Sequence, residues 1–412
     1  MTRKNLISPR CKDLFRRLQP NTTGQLLLNA ALLADDRAVE SWQRIYRQTG
    51  LECADDGEFQ LLPLVYANLR DLGYTGPEMA KLPGVYRKAW YCNQLLFRAT
   101  AVAAARLAKA GIPSRMIRMT GGLATIAQFY PARRLRTVRQ GELLVDASQL
   151  RAAVESLADG WQPRLVRPNF PSKCDERFGY YASFQRGTAA QPNTHAMDTN
   201  ERTELMPDLQ FDLHWKLLDP RTAVEKLERG SEEAAFPTGI SYETQDGSIL
   251  MLDPATSLLA ACLQAFPHDQ SSLPWVADAL MILRAAASSL DWQSVIAQAV
   301  QQGAVLPTLA ALIYLSQCYS APIPPTVLET LAGTGSTPDA EAALDCLMAP
   351  PDQRTLVQRV QMGLRVYARG NPDSSFHTHI RLFPAFVRYY WSPGRVLRRV
   401  GRGIGGAFRI SK

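Results

Sequence analysis

Residues 115–145 read RMIRMTGGLATIAQFYPARRLRTVRQGELLV, and the character of the chain changes there. The segment RMIRM at 115–119 predicts a short strand, and the pair Gly121-Gly122 predicts a tight turn. Residues 123–130 predict a short helix, and a basic loop leads from it into a second strand at 142–146. A strand, a glycine turn, a helix and a strand in so short a stretch predict an α/β or α+β block.

The block continues toward the C-terminus. Residues 163–166 and 180–186 predict an antiparallel strand pair, and residues 209–215 predict a further strand. Between them, residues 188–203 are rich in Thr and Asn and include Pro192, which predicts a loop.

Helices are predicted on both sides of this block. Before it, we expect one helix over 24–49, another that begins near Leu61 with Pro63 in its first turn, and a third over 84–110 that ends at Gly111. After it, apolar periodicity predicts helices at 255–266, 275–286, 292–302, 306–318, 325–331, 340–348 and 356–366. We therefore expect an α+β fold in which a small mixed sheet is flanked by helical regions. The expected divisions are 1–110 (helical), 111–220 (α/β core), 221–373 (helical) and 374–412 (basic tail).

The net charge of +8 is concentrated at the C-terminus. No acidic residue follows Asp373, whereas eight Lys and Arg residues do, so residues 1–373 balance to zero. We expect about 376–412 to form short pieces that bind an anionic surface rather than complete the core, because aromatic residues alternate there with arginines. The competing interpretation is a tail that packs on the helical region.

Other classes of protein fit the composition poorly. The sequence contains no apolar run long enough for a membrane span and no signal-peptide pattern, which favours a cytoplasmic protein. The seven cysteines are scattered and include no C-x-x-C, which is unlike a disulfide framework or a zinc site.

Three motifs resemble one family. They are Thr120-Gly121-Gly122-Leu123-Ala124 followed by Tyr130, then the segment 136–145, and later Asp212-Leu213-His214-Trp215. In order and spacing this set is similar to the bacterial uncharacterised nucleotidyltransferases of the polymerase-β-like superfamily. The resemblance extends over most of residues 25–320 and includes Asp278.

The resemblance implies a definite chemistry. Members of the superfamily transfer a nucleoside monophosphate from an NTP to an acceptor hydroxyl, using Mg²⁺ or Mn²⁺ held by carboxylates. It implies Glu142 and Asp212 as catalytic metal ligands, and Gly121, Gly122 and Arg136 as the binding residues for the NTP. It also implies a context in bacterial exopolysaccharide biosynthesis.

This chain departs from the family at the centre of that chemistry. The first metal-binding Asp of the family corresponds to Gln140, which cannot supply a carboxylate charge. The second corresponds to Glu142, the third to Asp212, and the usual Lys of the glycine motif to Thr120. By sequence, only Asp146 and Asp175 are near enough to be considered as replacements, and Asp146 lies about 13 Å from Glu142 along a strand.

Each residue also has an ordinary structural interpretation. Glu142 could be a solvated strand residue, Asp212 a structural hydrogen-bond acceptor, and Arg136 part of a solvated loop face. Asp278 is expected to cap or pair within the helical bundle. Two functions stay open: an active nucleotidyltransferase, or an inactive homologue that serves as a binding or scaffold module. The expected partners are a nucleotide and, through the basic tail, the inner face of a membrane, with no specific nucleic acid.

Overall fold

The fold is described from a computed structural model. It covers residues 18–48, 56–158, 160–164, 170–186, 209–225, 236–244, 247–266, 273–334, 337–350, 353–371 and 376–391. The predicted loop at 188–203 lies outside these residues, as does the part of the basic tail that follows Trp391.

A seven-stranded mixed sheet forms the centre of the protein, with strand order β3-β4-β5-β2-β1-β7-β6. Strand β2 pairs in parallel with β5 and antiparallel with β1, and β1 pairs in parallel with β7. The strands are β1 (Ile117–Met119), β2 (Gly141–Val145), β3 (Trp161–Pro163), β4 (Tyr181–Arg186), β5 (Gln210–His214), β6 (Gly239–Thr244) and β7 (Gly247–Leu252). This confirms the expected α+β fold with a mixed sheet.

The two faces of the sheet differ in polarity because side chains alternate along each strand. Met119, Leu143 and Leu213 lie on one face and are fully buried in the main core. Glu142 and Asp212 lie on the other face, which also carries Arg118 and His214. The polar side chains that the sequence identifies are thus brought to one side of the sheet.

Helices surround the sheet in the described part of the chain. They are α1 (Thr22–Leu32), α2 (Asp36–Gln48), α3 (Asp56–Asp71), α4 (Leu82–Lys109), α5 (Gly121–Gln128), α6 (Leu150–Leu157), α7 (Lys173–Phe178), α8 (Pro254–Leu263), α9 (Pro274–Ala285), α10 (Trp292–Gln301), α11 (Val305–Tyr319), α12 (Pro325–Gly333), α13 (Pro338–Met348), α14 (Leu356–Arg369) and α15 (Phe376–Trp391). The predicted helices after Pro254 are all present, with ends shifted by a few residues.

Two predictions about the first helices were wrong. The helix expected over 24–49 is interrupted, because Leu33 adopts extended backbone and Asp35 starts a new helix by accepting from the N–H of Arg37. Asn68 holds this break by donating to the carbonyl oxygens of Ala30 and Leu33. Pro63 lies inside α3 rather than in its first turn, since the helix begins earlier, at Asp56.

The β6–β7 hairpin was not predicted. It lies within 221–373, which we expected to be helical, and it extends the sheet beyond β1 through the pair Met119–Met251. Its strands lack a long apolar alternation: Ile240 is exposed although it belongs to a strand. The sheet is therefore wider than the sequence indicates.

The basic C-terminal region begins with a helix that packs on the protein. Residues 376–391 form α15 in spite of Pro384, and Phe386 and Tyr390 are buried against Phe178 and Tyr367. The expectation of short pieces outside the core was therefore wrong for this helix, since aromatic burial outweighs the helix-breaking effect of the proline. Among the described helices, none is long and apolar enough to cross a membrane.

Candidate functional site

Glu142 and Asp212 lie side by side on neighbouring parallel strands. They are register partners in the β2–β5 ladder, so their side chains leave the same face of the sheet. Asp212 is only 4% exposed, and its electrostatic field contributes to the environment of Glu142. The two side chains therefore lie next to each other on one face, as ligands of one site would, while their role as metal ligands stays a prediction.

Gly121 provides the space for the Glu142 carboxyl group. This glycine opens α5 with a φ of +65°, in the left-handed region that disfavours other residues. A Cβ atom built there would overlap the carboxyl atoms of Glu142. The glycine turn and Glu142 are therefore in direct contact, as the resemblance implies for residues of one site.

Gln140 forms a hydrogen bond with the second carboxylate. Its Nε2 lies 2.6 Å from Asp212 Oδ2, across the two strands. A family aspartate at this position would place a second negative charge there, whereas the amide nitrogen donates to Asp212 instead. Gln140 therefore places a neutral hydrogen-bond donor next to Asp212, where an aspartate would place a negatively charged metal ligand.

His214 and Glu142 form a neutral pair. His214 Nε2 lies 3.6 Å from Glu142 Oε2, both side chains being largely buried. Burial lowers the pKa of His214 to about 4. Burial, and then the charge of Asp212, raises the pKa of Glu142 to about 7, against the opposing effect of Arg136. Near pH 6 the imidazole is neutral and the carboxyl is mostly protonated, so this contact is not an ion pair.

Arg136 lies buried against the second glycine of the turn. It is 5% exposed, and a Cβ atom built at Gly122 would overlap its Nη1. Its Nε and Nη1 are buried without hydrogen-bond partners. The interpretation of Arg136 as part of a solvated loop face was therefore wrong.

Asp278 forms an ion pair with the third nitrogen of this guanidinium, Nη2, and Tyr130 holds Asp278 in place. Asp278 Oδ2 lies 3.1 Å from Arg136 Nη2, and the Tyr130 hydroxyl donates to Asp278 Oδ1 at 2.7 Å. Asp278 belongs to α9, so the C-terminal helices contribute directly to the site. The expectation that Asp278 caps or pairs within the bundle was wrong, because its partners belong to the segment around the glycine turn.

A family model described as an uncharacterised nucleotidyltransferase matches residues 58–320. The chain belongs to this uncharacterised nucleotidyltransferase family. The matched segment contains every residue of the site, from the glycine turn to Asp278. No curated protein and no solved structure matches the chain.

The donor set of this nucleotidyltransferase homologue does not fit two divalent cations. Gln140 is neutral and hydrogen-bonded to Asp212. The two aspartates considered as replacements are engaged elsewhere: Asp146 accepts from the N–H of Ser148, and Asp175 forms a capping box at the start of α7. Among the described residues, no group of three or more His, Cys, Asp or Glu side chains is arranged to hold a metal ion.

Part of the site was visible in the sequence of this nucleotidyltransferase homologue and part was not. The glycine turn, Gln140, Glu142, Asp212 and Arg136 were identified from the motifs, and the structure brings them together. Tyr130 and Asp278 also match the family, but nothing in the sequence indicates that they bind each other across 148 positions.

Proposed function

We propose that this protein is a non-catalytic nucleotidyltransferase homologue that binds the phosphates of a nucleoside triphosphate. The observation that carries the proposal is the buried guanidinium of Arg136, whose Nε and Nη1 have no hydrogen-bond partner. An anion at this position would satisfy these donors, which are otherwise costly to bury.

The surroundings of Arg136 favour phosphate as that anion. Gly121 and Gly122 open α5, so backbone N–H groups and the positive end of the helix are available beside the guanidinium. The family lysine is Thr120 here, so the positive charge next to the glycine turn comes from Arg136. Glu142 is nearby, but below about pH 7 it is mostly neutral and repels phosphate little.

The lack of catalysis is argued from Gln140. Two-metal transfer requires carboxylates that hold both cations between the triphosphate and the attacking hydroxyl. Gln140 brings no charge and occupies Asp212 Oδ2. Binding by Arg136 and the glycine turn needs no cation, so phosphate binding can persist without transfer.

The alternative function is transfer of a nucleoside monophosphate to an acceptor hydroxyl. The pairing of Glu142 and Asp212 in register favours it, because two carboxylates on one face are the minimum for a cation site. Under this alternative the two residues would hold Mg²⁺ or Mn²⁺, which would make the NTP α-phosphorus susceptible to attack.

Pyrophosphate release from NTPs separates the two functions. The assay uses each NTP with Mg²⁺ or Mn²⁺ and a small-molecule extract as the source of acceptors. We expect no cation-dependent release from the wild-type protein. Release that requires Mg²⁺ and is lost in Glu142→Gln would overturn the proposal in favour of the enzyme.

A further inference from the structure

Arg118 is a second buried arginine on the polar face of the sheet, apart from the glycine turn. It lies in β1 and is 5% exposed. Its Nη1 donates to the carbonyl oxygen of Ile117 at 2.9 Å, whereas its Nε is buried without a hydrogen-bond partner. Among the described residues, no carboxylate forms an ion pair with it.

The surroundings of Arg118 hold the guanidinium in place without neutralising it. Its Cζ lies 5.1 Å from the centroid of the Phe236 ring, in a cation–π contact. A Cβ atom built at Gly239, the first residue of β6, would overlap its Nε and Cζ. A charge that is buried in this way without a counter-charge destabilises the protein unless a ligand supplies the charge.

We propose that Arg118 is a binding residue for an anionic group, with phosphoryl or carboxylate oxygens, of a second ligand. Arg118 pairs with Leu144 in the β1–β2 ladder, and Leu144 is two residues from Glu142 on the same face. The separation along the strands is therefore about 7 Å. The second ligand would bind beside the nucleotide, which is the only part of this inference that rests on the proposed function.

The chemistry of the site favours an oxyanion. A guanidinium nitrogen donates strongly to phosphate and carboxylate oxygens, and such bonds gain strength in a buried setting. Gly239 has no Cβ, so β6 can lie close to the Nε edge of the guanidinium, where any larger residue would overlap Nε and Cζ. This contact holds Arg118 in place beside β6. A neutral ligand would leave the charge uncompensated.

Thermal unfolding of the full chain with inorganic phosphate and with pyrophosphate tests the inference. Arg118→Met removes the guanidinium while keeping an unbranched apolar side chain. Arg115→Met is the matched control, because it removes the same charge three residues away from an exposed position. Gly239→Ala is a second variant that keeps the charge and displaces the guanidinium.

We expect phosphate to raise the Tm of the wild-type protein and of Arg115→Met equally, and to raise that of Arg118→Met and Gly239→Ala by less than half as much. Without phosphate, Arg118→Met should unfold about 2 °C higher than the wild type, because an uncompensated buried charge is gone. The inference is overturned if phosphate stabilises Arg118→Met as much as the wild type, or if Arg118→Met unfolds at a lower temperature without phosphate.

The same variants separate this inference from the proposed function. Titration of ATP into Arg118→Met should give the wild-type affinity within about threefold. If ATP does not bind the wild type although phosphate stabilises it through Arg118, the proposed function fails and this inference stands. If ATP binds the wild type but phosphate stabilises the wild type and Arg118→Met equally, this inference fails and the proposed function stands.

Discussion

Gln140 Nε2 donates a 2.6 Å hydrogen bond to Asp212 Oδ2, across neighbouring strands of the central sheet. By the resemblance of the motifs, Gln140 corresponds to the first metal-binding aspartate of the family. An aspartate there would need a cation to lie near Asp212, whereas the amide stabilises Asp212 without one. The bond thus gives Asp212 Oδ2 a hydrogen-bond donor that requires no metal ion.

Gln140→Asp should make the stability of the protein depend on divalent cations. Without cations we expect a loss of about 1–3 kcal/mol, because two carboxylates would face each other. Mn²⁺ or Mg²⁺ should restore the lost stability in the variant and leave the wild type unchanged. Thermal unfolding with EDTA and with each cation measures the effect.

Gln140→Asn is the matched control for this substitution. Asparagine is one methylene shorter, so it loses the hydrogen bond to Asp212 without adding a charge. Cations should therefore not restore the stability of Gln140→Asn. Equal stabilisation of the wild type and Gln140→Asp by Mg²⁺ would contradict the role assigned to the Gln140–Asp212 bond.

The neutral pair of Glu142 and His214 should produce two opposing pH dependences of stability. The pKa of Glu142 is raised from 4.5 to about 7, so the folded state holds its proton more tightly and stability falls as pH rises across that window. The pKa of His214 is lowered from 6.5 to about 4, so stability rises with pH across that window. Each contribution is about 3 kcal/mol at most, and the two largely cancel between pH 4.5 and 6.5.

Single substitutions should reveal each slope. In Glu142→Gln, stability should rise from pH 4 to 6.5, because only the histidine effect is left. In His214→Gln, stability should fall from pH 4.5 to 7. Denaturant unfolding at several pH values gives both slopes, and parallel pH profiles for the two variants would refute the assignment.

Asp278 should be the residue that makes the buried charge of Arg136 tolerable. Asp278→Asn removes the counter-charge and should cost about 3 kcal/mol, whereas Tyr130→Phe removes one hydrogen bond and should cost about 1 kcal/mol. Arg136→Met combined with Asp278→Leu should be less destabilising than the sum of the single changes. Additive losses in a double-mutant cycle would show that the pair is not energetically coupled.

The basic segment that follows Trp391 should bind anionic membranes. This segment contains six of the eight C-terminal cations and no acidic residue, and each engaged cation contributes about 1 kcal/mol near an anionic bilayer. Truncation after Trp391 leaves α15 and its aromatic contacts in place, and the Tm of the truncated protein verifies that it is folded. Co-sedimentation with phosphatidylserine vesicles should decrease at least tenfold.

Neutral phosphatidylcholine vesicles serve as the control for that experiment and should retain neither protein. If the full and truncated chains co-sediment equally with anionic vesicles, the segment after Trp391 is not a membrane-binding element.

Local patterns predicted most of the elements of this fold. The glycine turn, strand β2 and the helices after Pro254 follow from apolar periodicity and from residues that end helices. The β6–β7 hairpin could not be predicted in the same way, because its position depends on pairing with β1, which is distant in sequence. Likewise, the burial of Phe386 and Tyr390 depends on Phe178 and Tyr367, which no local pattern connects to them.

The candidate site was predictable where its residues share a motif. Glu142 and Asp212 converge because each strand carries its acid at a position fixed by alternation. The network of Arg136, Asp278 and Tyr130 was not predictable, because it joins a loop to a helix through side chains. The alternative of a solvated Arg136 was wrong for the same reason: a charged loop residue is buried only when a distant partner compensates it.

Calorimetric titration of ATP tests the central claim most directly, in EDTA and in Mg²⁺, with the wild type and Arg136→Lys. Lysine keeps a charge opposite Asp278 but loses the additional N–H donors that would bind phosphate. We predict saturable binding to the wild type that changes less than about threefold between EDTA and Mg²⁺, and that is at least tenfold weaker in Arg136→Lys. ATP binding that requires Mg²⁺ and is insensitive to Arg136→Lys would contradict the account.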